Sequence, residues 1–300
     1  MRKILLTGAS GFVGRHVLPV LLNKGYSVYA VSRSQPAEIP FGVTWYQVDI
    51  LKSKQRDYVM KRIRPTFLLH LAWCARPPFY RQCPENIDWY YATVELVKKF
   101  VSYGGKRAVL AGTCLEYEFS QPDCSEEATP LNPDTLYGLC KKSTFQQLQT
   151  MALTSDFTFA WARLFYLYGP GQSEAALVPS VIKTLSQGRI FTCLNPELVR
   201  DYLYVKDAAD AMVQLLHSNI CGSVNIGSGQ GTRVGSLVQQ VASLMKCQSQ
   251  VRWGTGEKGE PQRIVACTEK LVSLLSWKPR WSLRKGLRQT IEYYLRKIST

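Results

Sequence analysis

The sequence predicts an α/β fold in which a doubly wound parallel sheet carries a smaller α/β lobe. A strand-length apolar run, Ile4 to Leu6, lies at the start of the chain and leads directly into glycines and a helical apolar pattern. Further short apolar runs alternate with helical stretches, which is typical of βαβ units in a parallel sheet. A chain of 300 residues, of which 46% are hydrophobic, is long enough to bury such a sheet and to add a second lobe.

The first strand leads into a turn with the spacing G-x-x-G-x-x-G. If a phosphate binds here, Gly8 permits the tight turn, Gly11 lets the backbone approach the anion, and Gly14 lets the helix pack on the strand. The amides of Phe12 and Val13 then lie at a helix N-terminus, which favours an anion. An ordinary glycine turn is the alternative, but the helix and second apolar strand that follow are typical of a dinucleotide-binding unit.

The whole stretch TGASGFVGRHV resembles the extended short-chain dehydrogenase/reductase family. The resemblance spans nearly the whole chain and implies a Rossmann-type nucleotide domain made of residues 1–168 plus about 200–227. Residues from about 169–199 and 228–300 are expected to form the substrate lobe. The resemblance also implies a set of cofactor-binding loop residues, namely Gly8, Ser10, Gly11, Phe12, Val13 and Gly14.

The end of the second predicted strand, Ser27 to Ser32, bears on the choice of cofactor. A site for NAD(H) places Asp or Glu there to accept hydrogen bonds from ribose hydroxyls, whereas the 2′-phosphate of NADP(H) calls for a cation. Ser32 and Arg33 stand at this point without a carboxylate beside them. The sequence therefore favours NADP(H) over NAD(H), and a solvated Arg33 without a ligand is the alternative.

The third strand is predicted at Val43 to Val48 and closes with Asp49 and Ile50. The family resemblance implies that Asp49 accepts a hydrogen bond from the adenine amino group, with Ile50 beside the cofactor. A structural role is the alternative, because an aspartate at this position can also cap the helix that follows.

The fourth strand is predicted at Thr66 to His70. The family resemblance implies that Leu71 and Ala72, which follow it, lie along the ribose and nicotinamide of the cofactor. The next segment, Trp73 to Arg81, is rich in proline and aromatic residues. It is a candidate wall of the substrate site, with Trp73 as a binding residue, and an exposed crossover loop is the alternative.

The candidate catalytic residues are Thr113, Tyr137 and Lys141. Thr113 follows the predicted strand Ala108 to Ala111, whose end faces the crevice, and the spacing of Tyr137 and Lys141 places both on one helical face. Reduction of a carbonyl needs a proton donor at the oxygen, and we expect the ammonium to lower the tyrosine pKa towards neutrality while Thr113 holds the same oxygen. The family resemblance implies that Lys141 also binds the nicotinamide ribose. A surface Tyr–Lys pair is the alternative, which Thr113 and the glycine motif disfavour.

The residues after Thr113 distinguish among activities of the family. Nucleotide-sugar 4,6-dehydratases of this family carry Asp and Glu directly after that threonine, as acid and base for loss of water. Cys114 and Leu115 occupy those positions here. Because neither side chain replaces a carboxylate in proton transfer, the sequence favours a reductase or an epimerase.

Four further residues are candidate substrate ligands by resemblance. The family motif R-x-x-N-x-Y-G-P has Tyr166 in place of its asparagine, which puts an ordinary epimerase pocket in doubt. Leu177 opens a helix that lies beside the nucleotide base in relatives. Arg200 matches an arginine that pairs with the substrate diphosphate, and a surface ion pair with Asp201 is the alternative. Arg263 is a further candidate for phosphate contact.

Composition limits the other classes of function. The formal charge of +15 raises nucleic-acid binding, but the basic residues are scattered without a basic run, so no nucleic-acid partner is predicted. Nine cysteines without a C-x-x-C pair are expected to be reduced thiols, and three isolated histidines predict no metal site. No apolar run is long enough for a membrane span, and we expect a cytoplasmic protein.

Together these features predict an NADPH-dependent reductase of a nucleoside-diphosphate 4-keto-6-deoxyhexose, of the kind that completes deoxysugars for surface glycans such as lipopolysaccharide. An NAD-dependent nucleotide-sugar 4-epimerase is the first alternative, and a non-catalytic NADP-binding sensor is the second. The resemblance also implies a homodimer formed through the helices predicted at Pro84 to Tyr103 and Leu136 to Thr154.

Overall fold

The computed structural model describes residues 2–120, 123–256 and 259–299. Its centre is a seven-stranded parallel sheet in the order β3-β2-β1-β4-β5-β6-β10. Successive strands run outwards from β1 first in one direction and then in the other, as predicted for a doubly wound sheet. The seven strands are β1 (Arg2–Thr7), β2 (Tyr26–Ser32), β3 (Val43–Gln47), β4 (Phe67–His70), β5 (Arg107–Thr113), β6 (Thr158–Leu164) and β10 (Gly222–Ile226).

Helices cover both faces of this sheet, which is why its strands are apolar on both sides. One face packs against α1 (Gly14–Asn23), α6 (Val205–His217) and α8 (Glu269–Leu275). The other packs against α2 (Ser53–Ile63), α3 (Glu85–Ser102) and α4 (Leu136–Leu153). Within the described ranges, no helix combines the length and the apolarity needed to cross a bilayer.

The smaller lobe is built around β9 (Val199–Tyr204), which pairs with three short strands. Two further strands form a separate parallel pair, and three helices pack around a hydrophobic core within this lobe. The partners of β9 are β7 (Tyr166–Tyr168), β11 (Gly231–Arg233) and β13 (Arg263–Ile264); the separate pair is β8 (Phe191–Leu194) with β12 (Val251–Gly254); and the helices are α5 (Leu177–Ser186), α7 (Val234–Met245) and α9 (Leu283–Ser299).

Two boundaries differ from the simplest sequence interpretation. The first helix begins at Gly14 and not at Phe12, because the Gly11 amide donates to the Gly8 carbonyl and closes a turn before the helix starts. β7 and β9 lie within the residues predicted for the nucleotide domain, but they pair with each other in the sheet of the smaller lobe. α6 packs on the large sheet and β10 joins it. The division of the chain into two domains stays a prediction.

Candidate active site

A cleft of about 1380 Å³ opens where the carboxyl ends of the central strands face the smaller lobe. Its position is that expected for a ligand site in an open parallel sheet, at the point where the strand order reverses. The cleft collects most of the candidate residues, namely Gly8, Ser10, Gly11, Phe12, Val13, Gly14, Ser32, Arg33, Ile50, Leu71, Ala72, Trp73, Thr113, Tyr137, Lys141, Tyr166, Leu177 and Arg200.

The glycine turn is so tight that side chains cannot replace its glycines. Gly8 has a φ of +70°, and a Cβ atom on it would lie 2.8 Å from the Ala72 amide nitrogen. A Cβ atom on Gly14 would lie 2.1 Å from the Gly8 carbonyl oxygen, well inside contact distance. The turn therefore brings its backbone close to any ligand in the cleft, which fits a dinucleotide pyrophosphate.

The backbone amides at the start of α1 complete this cradle. In the described part of the chain, no protein atom accepts a hydrogen bond from the amides of Phe12 and Val13. Both residues line the cleft just before the helix begins at Gly14. Unpaired amides at a helix N-terminus are ready donors to a phosphate, so the residues present fit the cofactor predicted from the sequence.

A buried polar chain fixes the floor of the cradle, and sequence analysis missed it. Thr7 Oγ1 accepts hydrogen bonds from the Leu71 and Ala72 amides, each at 3.2 Å, and contacts His70 Nδ1 at 2.8 Å. His70 Nε2 contacts Thr93 Oγ1 at 3.0 Å. Burial, with a smaller effect of the Lys141 charge, lowers the pKa of His70 to about 3, so the ring is neutral. Because Thr7 already accepts two amides, its hydroxyl donates to Nδ1 and the Nε2–H group donates to Thr93.

The end of β2 carries a cation and no acid. Ser32 Oγ donates to the Ser34 carbonyl at 2.6 Å and accepts from Trp45 Nε1 at 3.1 Å, which orders the backbone there. Arg33 is exposed and lines the cleft. Asp49 is not among the residues that line the cleft; its carboxylate accepts from the Leu51 amide at 3.0 Å. A role for Asp49 at the adenine stays a prediction, and its bond to Leu51 closes a turn before α2, whose N-cap is Lys52 and not Asp49.

Thr113, Tyr137 and Lys141 lie together in the cleft, and all three are buried. The Thr113 side chain lies near the Tyr137 phenol, where it opposes the rise in pKa that burial causes. Lys141 Nζ donates to the Ala111 carbonyl at 2.7 Å and lies 3.7 Å from the centre of the Trp73 ring. The predicted meeting of the three side chains is therefore present, although Trp73 was not expected to contact the ammonium.

The electrostatics of the pair differ from the sequence prediction. Burial, with a smaller contribution from Tyr80, raises the pKa of Tyr137 above its usual value, although the Thr113 side chain opposes the shift. Burial also lowers the pKa of Lys141 to about 7. The expectation that Lys141 brings the tyrosine pKa towards neutrality is wrong for this state of the protein. The desolvation of both groups outweighs their attraction, because the ammonium is held by Ala111 and lies 5.8 Å from the Tyr137 ring centre.

Glu116 is a functional residue that the sequence did not indicate. Its fully buried carboxylate accepts from the Thr113 amide at 2.8 Å and from Arg163 Nε at 2.8 Å, so it fixes the backbone that presents Thr113. Cys114 and Leu115, which occupy the dehydratase positions, pack into a buried apolar cluster and do not line the cleft. None of these three side chains is placed to act on a ligand in the cleft.

An aromatic wall stands over Tyr137, as the Trp73 to Arg81 segment predicted. The rings of Trp73 and Tyr80 meet the Tyr137 ring edge-on, with centroids 6.2 and 5.0 Å away. Asn86, another residue missed from the sequence, secures this wall: its Oδ1 accepts from Trp73 Nε1 at 2.8 Å and its Nδ2 donates to the Tyr80 carbonyl at 2.7 Å. Asn86 lies on the first turn of α3, so the helix positions the wall.

The smaller lobe contributes Arg200 and Tyr166 to the other half of the cleft. Arg200 Nη2 pairs with Glu260 at 2.9 Å, and its guanidinium lies 5.6 Å from the Tyr166 ring centre. The alternative pairing of Arg200 with Asp201 is wrong, because Asp201 accepts the Ser228 and Gly229 amides. Arg263 is not among the cleft-lining residues and pairs with Asp123 at 2.7 Å, so a contact of Arg263 with substrate phosphate stays a prediction.

The chain is similar to known proteins both in sequence and in structure. The sequence profile described as "NAD dependent epimerase/dehydratase family" matches residues 4–227. The crystal structure of a UDP-glucose 4-epimerase from Thermotoga maritima, solved with UDP-glucose, superposes with a TM-score of 0.90 at 25% identity and 99% coverage of both chains.

Curated relatives span several activities. UDP-glucuronic acid decarboxylase 1 of Danio rerio is 25% identical over 99% of this chain and 73% of its own length. The dTDP-6-deoxy-L-talose 4-dehydrogenase (NAD(+)) of Aggregatibacter actinomycetemcomitans is 26% identical over 79% of this chain and 88% of its own. The relatives therefore share the nucleotide-sugar class of substrate in their names, while the reactions differ.

Proposed function

Because this chain belongs to the NAD dependent epimerase/dehydratase family of nucleotide-sugar enzymes, we propose that it is an NADPH-dependent reductase acting on a nucleoside-diphosphate 4-keto-6-deoxyhexose. The observation that carries the proposal is the cationic end of β2. Arg33 lines the cleft there, and the only carboxylate among the described cleft-lining residues is Glu260, which pairs with Arg200. A ribose 2′-phosphate therefore has a cation within reach and no acid to repel it.

The cleft supports the chemistry of a reduction. A bound NADPH supplies the hydride. Tyr137 then donates its phenolic proton to the ketone oxygen, and Thr113 holds the phenol and the oxygen in line. Burial raises the pKa of Tyr137 and thus keeps the phenol protonated, which is the form that a reductase needs. The Lys141 ammonium, 5.8 Å from the centre of the Tyr137 ring, provides a partial counter-charge for the phenolate that forms.

Two observations support the substrate class. The rings of Trp73 and Tyr80 border Tyr137, and an apolar wall beside the reacting carbon suits the methyl group of a 6-deoxy sugar better than a hydroxyl or carboxylate. One curated relative is named for 4-dehydrogenation of a dTDP-linked 6-deoxyhexose, which is the reverse of a 4-keto reduction. That relative uses NAD(+) by name, so the preference for NADP(H) is a property proposed for this chain from Arg33.

The proposal is tested by mixing the purified protein with NADPH and a 4-keto-6-deoxy sugar nucleotide and following the absorbance of NADPH. The reductase consumes NADPH in proportion to the ketone added. A steady NADPH signal, together with NAD retained through purification and conversion of a UDP-hexose into its C4 epimer in a parallel assay without NADPH, would establish the 4-epimerase instead. The similarity to a UDP-glucose 4-epimerase is the observation that favours that second candidate.

A non-catalytic sensor is the remaining alternative, and the intact trio of Thr113, Tyr137 and Lys141 argues against it. A sensor gains nothing from a buried proton donor in the cleft. We also propose a cytoplasmic setting, where NADPH and reduced thiols prevail, and a product destined for surface glycans such as lipopolysaccharide.

We propose in addition that the protein forms a homodimer through α3 and α4. The two helices pack side by side, and large apolar side chains on both are exposed: Tyr91 is 63% and Leu153 86% accessible, with Ile87 and Leu139 near half. Exposed apolar groups grouped on neighbouring helices are typical of an interface. Sedimentation equilibrium should give twice the chain mass, and Tyr91→Glu should shift the protein to monomer; a monomeric wild-type protein would refute the dimer.

A further inference from the structure

The aromatic segment after β4 carries an arginine to which no role has been assigned. Arg81 lies in a 3-10 turn, Phe79–Gln82, is half-buried and lines the cleft. Burial lowers the pKa of Arg81, but the side chains of Tyr80, Tyr166 and Glu260 together raise it above its usual value. Arg81 thus comes from the nucleotide domain but faces residues of the substrate half.

Arg200 approaches the same place from the smaller lobe. It pairs with Glu260 at 2.9 Å and lies over the Tyr166 ring at 5.6 Å. The charges of both arginines act on the Tyr166 hydroxyl. Two guanidinium groups from different parts of the chain therefore line the same cleft as Tyr166 and Glu260.

This arrangement leaves an excess of positive charge. A single carboxylate neutralises one guanidinium, and Glu260 is the only acid among the described residues that line the cleft. The Glu260 side chain is 48% exposed, whereas that of Arg200 is 4% exposed, so the acid can withdraw more easily than the arginine. A diphosphate diester carries two negative charges and matches two arginine forks better than one carboxylate does.

We propose that Arg81 is a second ligand of the substrate diphosphate, which binds between Arg81 and Arg200 and displaces Glu260. The proposal rests on the nucleotide-sugar substrate proposed above and adds the residue that grips it from the opposite wall. Glu260 acts as the counter-ion of Arg200 until the diphosphate arrives.

The position of Arg81 links this grip to the reacting centre. Its neighbour Tyr80 packs on the Tyr137 ring at 5.0 Å, and its other neighbour Gln82 accepts from the Leu136 amide at 3.1 Å, at the start of α4. A diphosphate held by Arg81 therefore fixes the same short turn that packs against Tyr137. Loss of Arg81 should raise KM strongly and lower kcat to a smaller extent.

The experiment measures binding by calorimetry and needs no turnover. UDP, dTDP, GDP and CDP are titrated into the wild-type protein, and the tightest is compared with its own monophosphate. Arg81→Gln should weaken the diphosphate by about 10- to 100-fold, the range for a lost charge-assisted bond, and the monophosphate by less than about threefold. Arg81→Lys should recover part of the loss, because it keeps the charge without the fork.

Two controls complete the test. Arg62→Gln removes the same charge from an exposed site on α2 outside the cleft and should leave both affinities unchanged. Glu260→Gln removes the acid that pairs with Arg200 and should tighten the diphosphate several-fold, and by a smaller factor when Arg81 is also Gln. A folded Arg81→Gln protein, verified by its unfolding temperature, that keeps the preference for diphosphate would overturn the proposal. So would a wild-type protein that binds none of the four diphosphates.

The outcome is independent of the reductase assignment. A protein that binds a diphosphate through Arg81 but does not oxidise NADPH with a 4-keto sugar retains the inference and loses the proposed reaction. A protein that reduces the ketone with unchanged KM after Arg81→Gln retains the reaction and loses the inference.

Discussion

The two halves of the cleft differ in the protein atoms that line them, which are mainly backbone in one half and side chains in the other. The cofactor half is formed mainly by backbone atoms. A Cβ atom on Gly14 would lie 2.1 Å from the Gly8 carbonyl oxygen, and Thr7 accepts hydrogen bonds from the amides of Leu71 and Ala72. The substrate half is made of long side chains that pair with one another, as Arg200 does with the half-exposed Glu260. The first is held in place by backbone contacts, whereas the second, under the proposal above, exchanges an internal ion pair for its ligand.

Under the proposed function, this difference suits a family that accommodates several reactions. A backbone cradle built on a few glycines leaves little room for substitution. Side chains on the smaller lobe and on the segment after β4 can change one at a time, so we propose that residues such as Trp73, Arg81 and Tyr166 determine which sugar is held against Tyr137.

The largest effect is expected where the two halves meet, at Tyr137. Tyr137→Phe removes the proton donor and should lower kcat by about a thousandfold, while NADPH affinity stays within about twofold. Tyr58→Phe, at an exposed position on α2 outside the cleft, is the matched control and should retain full turnover. Single-turnover kinetics and fluorescence titration of NADPH measure the two quantities; turnover that survives in Tyr137→Phe would contradict the assigned proton donor.

The cofactor half should respond sharply to a single methyl group. Gly14→Ala places a Cβ atom against the Gly8 carbonyl and should cost about 3 kcal/mol of unfolding free energy, together with most of the cofactor affinity. Gly188→Ala is the comparison, because Gly188 has a φ of +69° but open space around it. It should cost about 1 kcal/mol with no effect on NADPH binding. Urea denaturation and cofactor titration distinguish the two, and equal cofactor losses would refute a rigid cradle.

Cofactor choice tests the end of β2. Arg33→Asp replaces the exposed cation with the acid that NAD(H) sites carry and should raise the KM for NADPH by about 30-fold while improving use of NADH. Arg64→Asp, an equal charge change at an exposed site outside the cleft, should leave the ratio unchanged. Steady-state kinetics with both cofactors give the result. An unaltered NADPH preference in Arg33→Asp would place the 2′-phosphate elsewhere.

A smaller effect is expected from acid on the buried polar chain. The pKa of His70 is about 6.5 in the unfolded state and about 3 in the folded state. Between these pH values the ring is protonated in the unfolded state and neutral in the folded state. Stability should therefore fall as pH falls from about 6.5 towards 3, by about 2 kcal/mol at pH 5 from this residue. His70→Gln can keep both threonine bonds without titrating. Between pH 7.5 and pH 5, the unfolding free energy of His70→Gln should therefore fall by about 2 kcal/mol less than that of the wild type. Urea denaturation measures both values, and equal falls in the two proteins would contradict a neutral His70 in the folded state.

The same contrast separates what could be predicted from what could not. The glycine turn, the order of strands and helices, and the pair Tyr137 and Lys141 are encoded by spacing along short stretches, so the sequence indicates them. The hydrogen bond from Arg163 to Glu116 joins residues 47 positions apart, and that from Arg200 to Glu260 joins residues 60 positions apart. No local sequence pattern predicts either bond. The expected lowering of the Tyr137 pKa failed for a related reason, because burial by the aromatic wall depends on the assembled fold.

The measurement that bears most directly on the proposed reduction uses NADPH deuterated at the reactive carbon of the nicotinamide. With a 4-keto-6-deoxy sugar nucleotide, the account predicts one deuterium at C4 of the product for each cofactor oxidised, detected by mass spectrometry and proton NMR. A ketone that is left unreduced while the NADPH pool stays intact, or a reduced product without deuterium at C4, would contradict it.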